Sequence, residues 1–160
     1  MTIQETHRCS WPGNDLLYQE YHDQEWGVPI MEDRALFEKL ILDGFQAGLS
    51  WITILKKREN FVKAFDAFEP KIIVNYNPEK VASLMKDPGI IRNRLKIENS
   101  INSAKAWLEL QDAGHSFSDF LWGFVEGSPI QNEWKTKDQV PLVTPESKTM
   151  SDALKKKGFR

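Results

Sequence analysis

The residues best placed to do chemistry are one carboxylate, Asp43, and the rings that crowd the two words around it. YHDQEWGVP (Tyr21 to Pro29) and LDGFQAGLSW (Leu42 to Trp51) mix large aromatic side chains with a few polar groups and helix-breaking glycines. A core built for stability alone favours aliphatic side chains without polar atoms. Rings interleaved with a carboxylate instead suit a pocket that grips a flat, polar guest. On a helix advancing about 100° per residue, Lys39, Asp43, Gln46 and, if the helix continues, Ser50 form one narrow polar window. The rest of that segment is apolar nearly all round. Two readings of the window stay open: solvent-facing surface with a weak Lys39–Asp43 pair, or the lining of a cleft. Ala47-Gly48 beside it allows another backbone or a ligand to come close.

The elements that must position these groups read as helices throughout. Asn14-Asp15 can cap a helix running to about Trp26, closed by Gly27 and Pro29. Asp33 starts a second, which carries Leu36, Phe37, Leu40, Ile41, Gly44 and Ala47, and Ser50 can cap a third with Trp51, Ile52 and Ile54. Phe61, Ala64, Phe65 and Phe68 repeat at helical spacing, and Pro70 and Pro78 suit first turns. Residues 90–113 read as the longest helix, with Ile97, Ile101, Ala104 and Leu108 on one stripe. A helix over 117–125 and a long loop over 127–149, marked by Pro129, Pro141 and Pro145, follow. Met150 to Lys157 starts a last helix, ended by Gly158. The expectation is an all-α compact bundle of short helices in a single domain, 1–160.

Bulk properties exclude little. Twenty-one basic and 23 acidic residues give a net charge of −2, so no global basic bias announces nucleic acid. Basic clusters at Lys56-Lys57-Arg58, at Arg92, Arg94 and Lys96, and at Lys155-Lys156-Lys157 read first as solvated helix faces, though a local field still suffices to meet phosphates. One cysteine, Cys9, excludes an internal disulfide and suits a reducing compartment. No stretch approaches the roughly 20 apolar residues of a membrane span, and the first residues lack a secretory apolar core. A cytoplasmic monomer is expected.

At these words the chain resembles the DNA-3-methyladenine glycosylase type I family. The resemblance rests on Cys9 and Trp11, then DLLYQEYHDQEWGVP, LDGFQAGLSWITILKKRENF and DPGIIRNRLKI, and it continues weakly through SFSDFLWGFV to SDALKKKGFR. It implies the helix-hairpin-helix DNA-glycosylase fold and hydrolysis of the N-glycosidic bond of 3-methyladenine in alkylated double-stranded DNA, releasing the free base. A repair glycosylase extrudes the damaged nucleotide into a pocket. The lesion base is cationic while attached to sugar, so the faces of Trp51, Tyr18, Tyr21 and Trp11 would favour it over neutral adenine by ~0.5–2 kcal/mol each when desolvated. Asp43 would accept a hydrogen bond from the exocyclic amine and add a Coulombic preference. No lysine stands out as a Schiff-base nucleophile, so a monofunctional enzyme is expected. Gly48 and Leu49 match the family loop that probes the gap left by the extruded base, with an ordinary tight connection as the competing reading.

Two departures from the family pattern stand out. The family usually has Glu where this chain has Asp43, and a polar residue where it has Phe45. The family also carries a structural zinc, held by an N-terminal Cys and His and by a His and Cys near the C-terminus. Cys9 and His22 match the first pair; His7 and His115 match nothing. The chain ends before the second pair, and LKKKGFR reads as the first helix and hairpin start of the helix-hairpin-helix, so the family domain reads as truncated at its C-terminus. Cys9–His22 stays open between an orphaned half-site and an ordinary buried pair. The competing function is a non-catalytic nucleobase- or DNA-binding homologue of the same fold.

Overall fold

Helices form where the chain supplies both a start signal and an apolar stripe. The computed structural model describes residues 8–160, in which nine α-helices follow one another. They are α1 (Leu16–Gln24), α2 (Asp33–Gln46), α3 (Trp51–Leu55), α4 (Arg58–Ala64), α5 (Pro70–Ile73), α6 (Pro78–Leu84), α7 (Arg94–Asp112), α8 (Phe117–Trp122) and α9 (Pro145–Lys157). Among the described residues there is no strand, and the fold is all-α as expected. Side-chain caps start most of these helices. Asp15 accepts from the Tyr18 N–H, Asn77 from Lys80, Asn93 from Lys96 and Ser116 from Asp119, each cap satisfying a backbone donor that the helix itself leaves orphaned.

Three expected boundaries move, each for a local reason. The longest helix begins at Arg94 rather than Ile90, because Asn93 has extended backbone and caps the first turn. Its buried face runs through Ile97, Ser100, Ala104, Trp107 and Leu110, which leaves Ile101 and Leu108 half-buried at its flanks. The last helix starts at Pro145, inside the expected loop. There Thr144 and Ser147 cap each other's backbone N–H groups, and Pro145 takes the first-turn position that proline favours. Finally, the Phe61–Phe68 repeat is not one helix. After Ala64 the chain turns through Asp66, Ala67 and Phe68 with φ of 51°, 53° and 55°. Left-handed backbone costs about 1–2 kcal/mol per residue. The turn buries Phe68 completely. Its backbone is pinned as well: Asp66 accepts from the Tyr76 hydroxyl (2.5 Å) and Lys80 (3.2 Å), and the Ala67 carbonyl from Arg34 (3.1 Å).

The core gathers around α2. Phe37, Ile41, Leu42 and Phe45 on that helix are all buried. Phe45 packs against Phe61 (4.8 Å between ring centroids) and Phe65 (5.5 Å). One of the two departures is thereby explained, since Phe45 is a core residue and not part of any pocket. At the far end Phe159 is buried against Phe117, 5.2 Å away. No helix among the described residues is long and apolar enough to cross a membrane.

One carboxylate ties three of these helices. Asp33, the first residue of α2, accepts from the Phe117 and Ser118 backbone N–H groups, the Ser116 hydroxyl and the Gln111 amide. Burial alone would raise its pKa, but the hydrogen bonds from Ser118, Phe117, Ser116 and Gln111 outweigh it and hold the carboxyl below the ordinary Asp range. A depressed folded-state pKa means stability present above the unfolded value of about 3.9 and lost as pH falls through the folded one. Asp33→Asn is therefore expected to lower stability at pH 7 by about 1 kcal/mol, with the gap from wild type closing below pH 4. Urea unfolding at pH 7 and pH 3 checks this, and an equal gap at both values removes the charge from the account.

Candidate functional site

Packing on three sides leaves α2 one free stripe, and that stripe becomes a wall. Lys39, Asp43 and Gln46 line an open cavity of about 440 Å³ together with Trp11, Tyr18, Tyr21, Glu25, Trp26, Val28, Ile30 and Trp51. Both readings of the polar window therefore meet in one place. The Lys39–Asp43 ion pair exists, and it stands inside a cleft. Asp43 keeps about half of its side chain exposed. Lys39 Nζ also lies 4.3 Å from the centroid of the Trp51 ring.

The rings make a connected wall. Trp11 meets Tyr18 edge-on at 4.7 Å and Trp26 at 5.4 Å, while Tyr21 reaches Trp51 at 5.5 Å. Such pairs are worth about 0.5–1.5 kcal/mol beyond the area they bury, so the wall holds its shape without a guest. Burial, then the negative charges of Asp43 and Glu25, raise the Tyr21 pKa, so its phenol stays a neutral donor. The Trp51 indole N–H is buried and has no protein acceptor.

The frame around the cavity is held by the basic cluster that read as a solvated face. Arg58 donates to Glu38 (2.9 Å) and Glu25 (2.7 Å), Lys56 pairs with Asp15 (2.6 Å), and Lys57 donates to the Pro88 carbonyl (2.9 Å). These cations tie α1, α2 and the 88–89 segment to the α3–α4 corner. Trp122 on α8 adds a further tie: it is half-buried, and its indole N–H donates to the Ile30 carbonyl (2.8 Å), which fixes the segment carrying Trp26 to Ile30.

Gly48 and Leu49 sit outside the cavity in the turn between α2 and α3. Ala47 has φ −51° and ψ 120°, Gly48 has φ 82°, and the Leu49 N–H bonds the Gln46 carbonyl at 2.7 Å. That is a type II turn, which requires glycine at its third position. The Gln46 side chain closes on the Leu49 carbonyl (2.7 Å). Lys96, reaching from α7, donates to the carbonyls of Phe45 (2.8 Å) and Ala47 (2.6 Å). A cation at a helix C-terminus meets both the dipole and the orphan carbonyls. The turn is thus clamped from two sides and holds Leu49 out, 39% exposed.

The metal residues are only partly assembled. Cys9 is exposed, so the pair is not a buried core pair; its backbone N–H donates to His22 Nε2 (3.3 Å), and His22 Nδ1 faces Asp23 Oδ1 at 3.0 Å. Among the described residues no group of three or more His, Cys, Asp or Glu could hold a metal ion. A tetrahedral structural site needs four ligands, and these residues offer two. His7 lies outside the described residues.

Trp26, Glu25 and Lys39 are wall residues that sequence reasoning did not single out as such. Trp26 stood in a quoted word as a helix end, and Lys39 stood in the polar window as a surface partner.

Residues 11–160 match the methyladenine glycosylase family. The DNA-3-methyladenine glycosylase of Haemophilus influenzae is 47% identical over 154 residues, which span 96% of this chain and 83% of that one. DNA-3-methyladenine glycosylase 1 of Escherichia coli is 46% identical over 96% of this chain and 82% of its own length. A crystal structure of 3-methyladenine DNA glycosylase I superposes with a TM-score of 0.94 at 48% identity, covering 96% of this chain and 85% of that one. Another member of that group, solved in complex with 3-methyladenine, superposes at 0.91 with 36% identity over 96% and 82% of the two chains.

The clamp on the turn gives a direct expectation. Lys96→Met removes a charged donor from the part-buried Phe45 carbonyl and the exposed Ala47 carbonyl and is expected to cost about 1.5–3 kcal/mol. Thermal and urea unfolding measure it. A loss under about 0.5 kcal/mol, the range of ordinary surface changes, would show that Lys96 is only a surface charge.

Proposed function

Because this chain belongs to the methyladenine glycosylase family, we propose that it is a DNA-repair glycosylase that hydrolyses the N-glycosidic bond of 3-methyladenine in alkylated DNA. The carrying observation is the ring-walled cavity with a carboxylate on its edge. The substrate base is a cation while bonded to deoxyribose. It leaves with the electron pair of the C1′–N bond as a neutral base, and water supplies the hydroxyl at C1′. No strong acid is then needed. The protein contributes capture of the flipped base, its orientation and electrostatic support for the cationic sugar.

In this reading Trp51, Tyr21, Tyr18 and Trp11 receive the base, and Asp43 accepts from its exocyclic amine while favouring its charge. Gly48 and Leu49 enter the gap that the base leaves. The start of a helix-hairpin-helix is read at α9 and Gly158, where exposed Lys155, Lys156 and Lys157 precede a left-handed glycine with φ 99° and offer contacts to the DNA backbone. The working unit is a cytoplasmic monomer on double-stranded DNA. Lys39 is the one lysine among the residues lining the cavity, and no lysine stands out as a Schiff-base nucleophile. The enzyme is read as monofunctional on that ground. Any zinc is read as structural only, Cys9 and His22 being two of the four ligands such a site needs, with His22 Nε2 here facing the Cys9 backbone N–H.

Four measurements test this. Wild-type protein should release 3-methyladenine from methylated duplex DNA, and no release sinks the reading. Asp43→Asn should slow that release roughly ten- to a hundredfold, the worth of a hydrogen bond to a charged group; a wild-type rate would take Asp43 out of the machinery. Borohydride should trap no covalent protein–DNA adduct, and zinc analysis with intact mass should give one metal per chain if Cys9 and His22 belong to a filled site.

A further inference from the structure

The cavity carries its own cation. Lys39 leaves α2 one turn before Asp43, pairs with the Asp43 carboxylate and sets its ammonium 4.3 Å from the centre of the Trp51 ring. These are the carboxylate and the ring that the proposed function assigns to a cationic base. Both contacts are of the kind that selects a positive charge: an ion pair, and a cation against an electron-rich face. All three side chains line the same opening. Nothing else fixes Lys39, which is about a third exposed and has no other hydrogen-bond acceptor among those the structure gives it.

We propose that Lys39 is a resident competitor, occupying in the empty cavity the ring face and carboxylate that the base takes up, and withdrawing as the base enters. The inference rests on the reading of this cavity as the base pocket. The residue shapes selection in a specific way. With Lys39 on Asp43 and Arg58 on Glu25, each cavity carboxylate has a cation beside it, and neither the Trp51 ring face nor the Asp43 carboxylate is left unpartnered while it waits. A guest must offer Trp51 and Asp43 at least what the ammonium offers. Water and small neutral molecules cannot do so, whereas a flat ring with a donor edge or a positive charge can. Stem and ammonium have room to move, because the Lys39 side chain is partly exposed and about half of the Asp43 side chain is exposed as well.

A different role has the same contacts but the opposite sign. If Lys39 positioned Asp43 for the base, removing it would weaken binding. The two are separated by titrating free 3-methyladenine into wild type, Lys39→Ala and Lys39→Arg, with tryptophan fluorescence as the readout and base release from methylated duplex DNA measured alongside. Competition predicts that Lys39→Ala binds the base about three- to tenfold tighter, the combined worth of an exposed ion pair and a cation–ring contact. It also predicts that Lys39→Arg, which keeps a charge able to stack on Trp51, binds the base no tighter than wild type. Weaker or unchanged binding by Lys39→Ala overturns the proposal. Alanine is the best helix former, and an unfolding temperature near that of wild type confirms that the comparison is between folded proteins; Lys39→Gln gives the same comparison if alanine destabilises α2. Failure of wild type to release 3-methyladenine is a separate result, since it removes the base pocket itself and not the contest within it.

Discussion

Everything at the cavity depends on α2 having only one side free. Phe37, Ile41, Leu42 and Phe45 cover the rest of the helix and are nearly inaccessible to solvent. Burying each such side chain is worth about 1.5–3 kcal/mol. Turning the helix by one residue would expose part of that set and drive Asp43 into the phenylalanine cluster, where an unpaired carboxylate is very costly. The direction in which Asp43 points is therefore set by apolar burial on the opposite side. No hydrogen bond needs to aim it. Polar contacts hold the helix at its start through Asp33, at its middle through Glu38 with Arg58, and at its finish through Lys96 with Gln46.

Around this helix the charged groups divide into two populations. Arg58 with Glu25 and Glu38, and Lys56 with Asp15, join separate helices and hold the frame. Inside the frame, Asp43 has Lys39 on its own helix as its ion-pair partner. An i,i+4 pair of this sort contributes only a few tenths of a kcal/mol, so it can be exchanged at little cost. The rigid groups stand around the cavity and the weakly held ones stand in it.

Much of this was legible in the sequence because period and punctuation agreed. Helical spacing with glycine and proline stops outlined the bundle, and the two aromatic words located the wall. What could not be read depends on contacts distant in sequence. Phe68 looks helical by spacing, yet its turn is left-handed, because burial of its ring and the Tyr76 and Lys80 bonds to Asp66 outweigh the local preference. Lys56-Lys57-Arg58 looked like a solvated face because sequence spacing does not show that Asp15, Pro88, Glu25 and Glu38 wait opposite. Lys39 was visible only as a surface partner, since the ring above it comes from the next helix. Phe45 looked like a change in the pocket until packing placed it on the far side of α2.

The aspartate itself bears on how a base would be recognised. Relative to the family's usual glutamate it is shorter by one methylene, a loss of reach of about 1 Å, and a hydrogen bond near 2.9 Å does not survive stretching by that much. A Coulombic attraction falls only in inverse proportion to distance, and a bridging water transmits a hydrogen bond at little enthalpic loss. Shortening the acid therefore weakens its reading of the base edge more than its preference for positive charge. It also draws the carboxylate back toward the α2 backbone, where it pairs with Lys39 one turn earlier. The aspartate and the lysine then act as a unit: the shorter acid holds a cation against Trp51 and yields it to a guest that brings a charge of its own. Discrimination in this cavity falls to charge and ring faces, with edge contacts second.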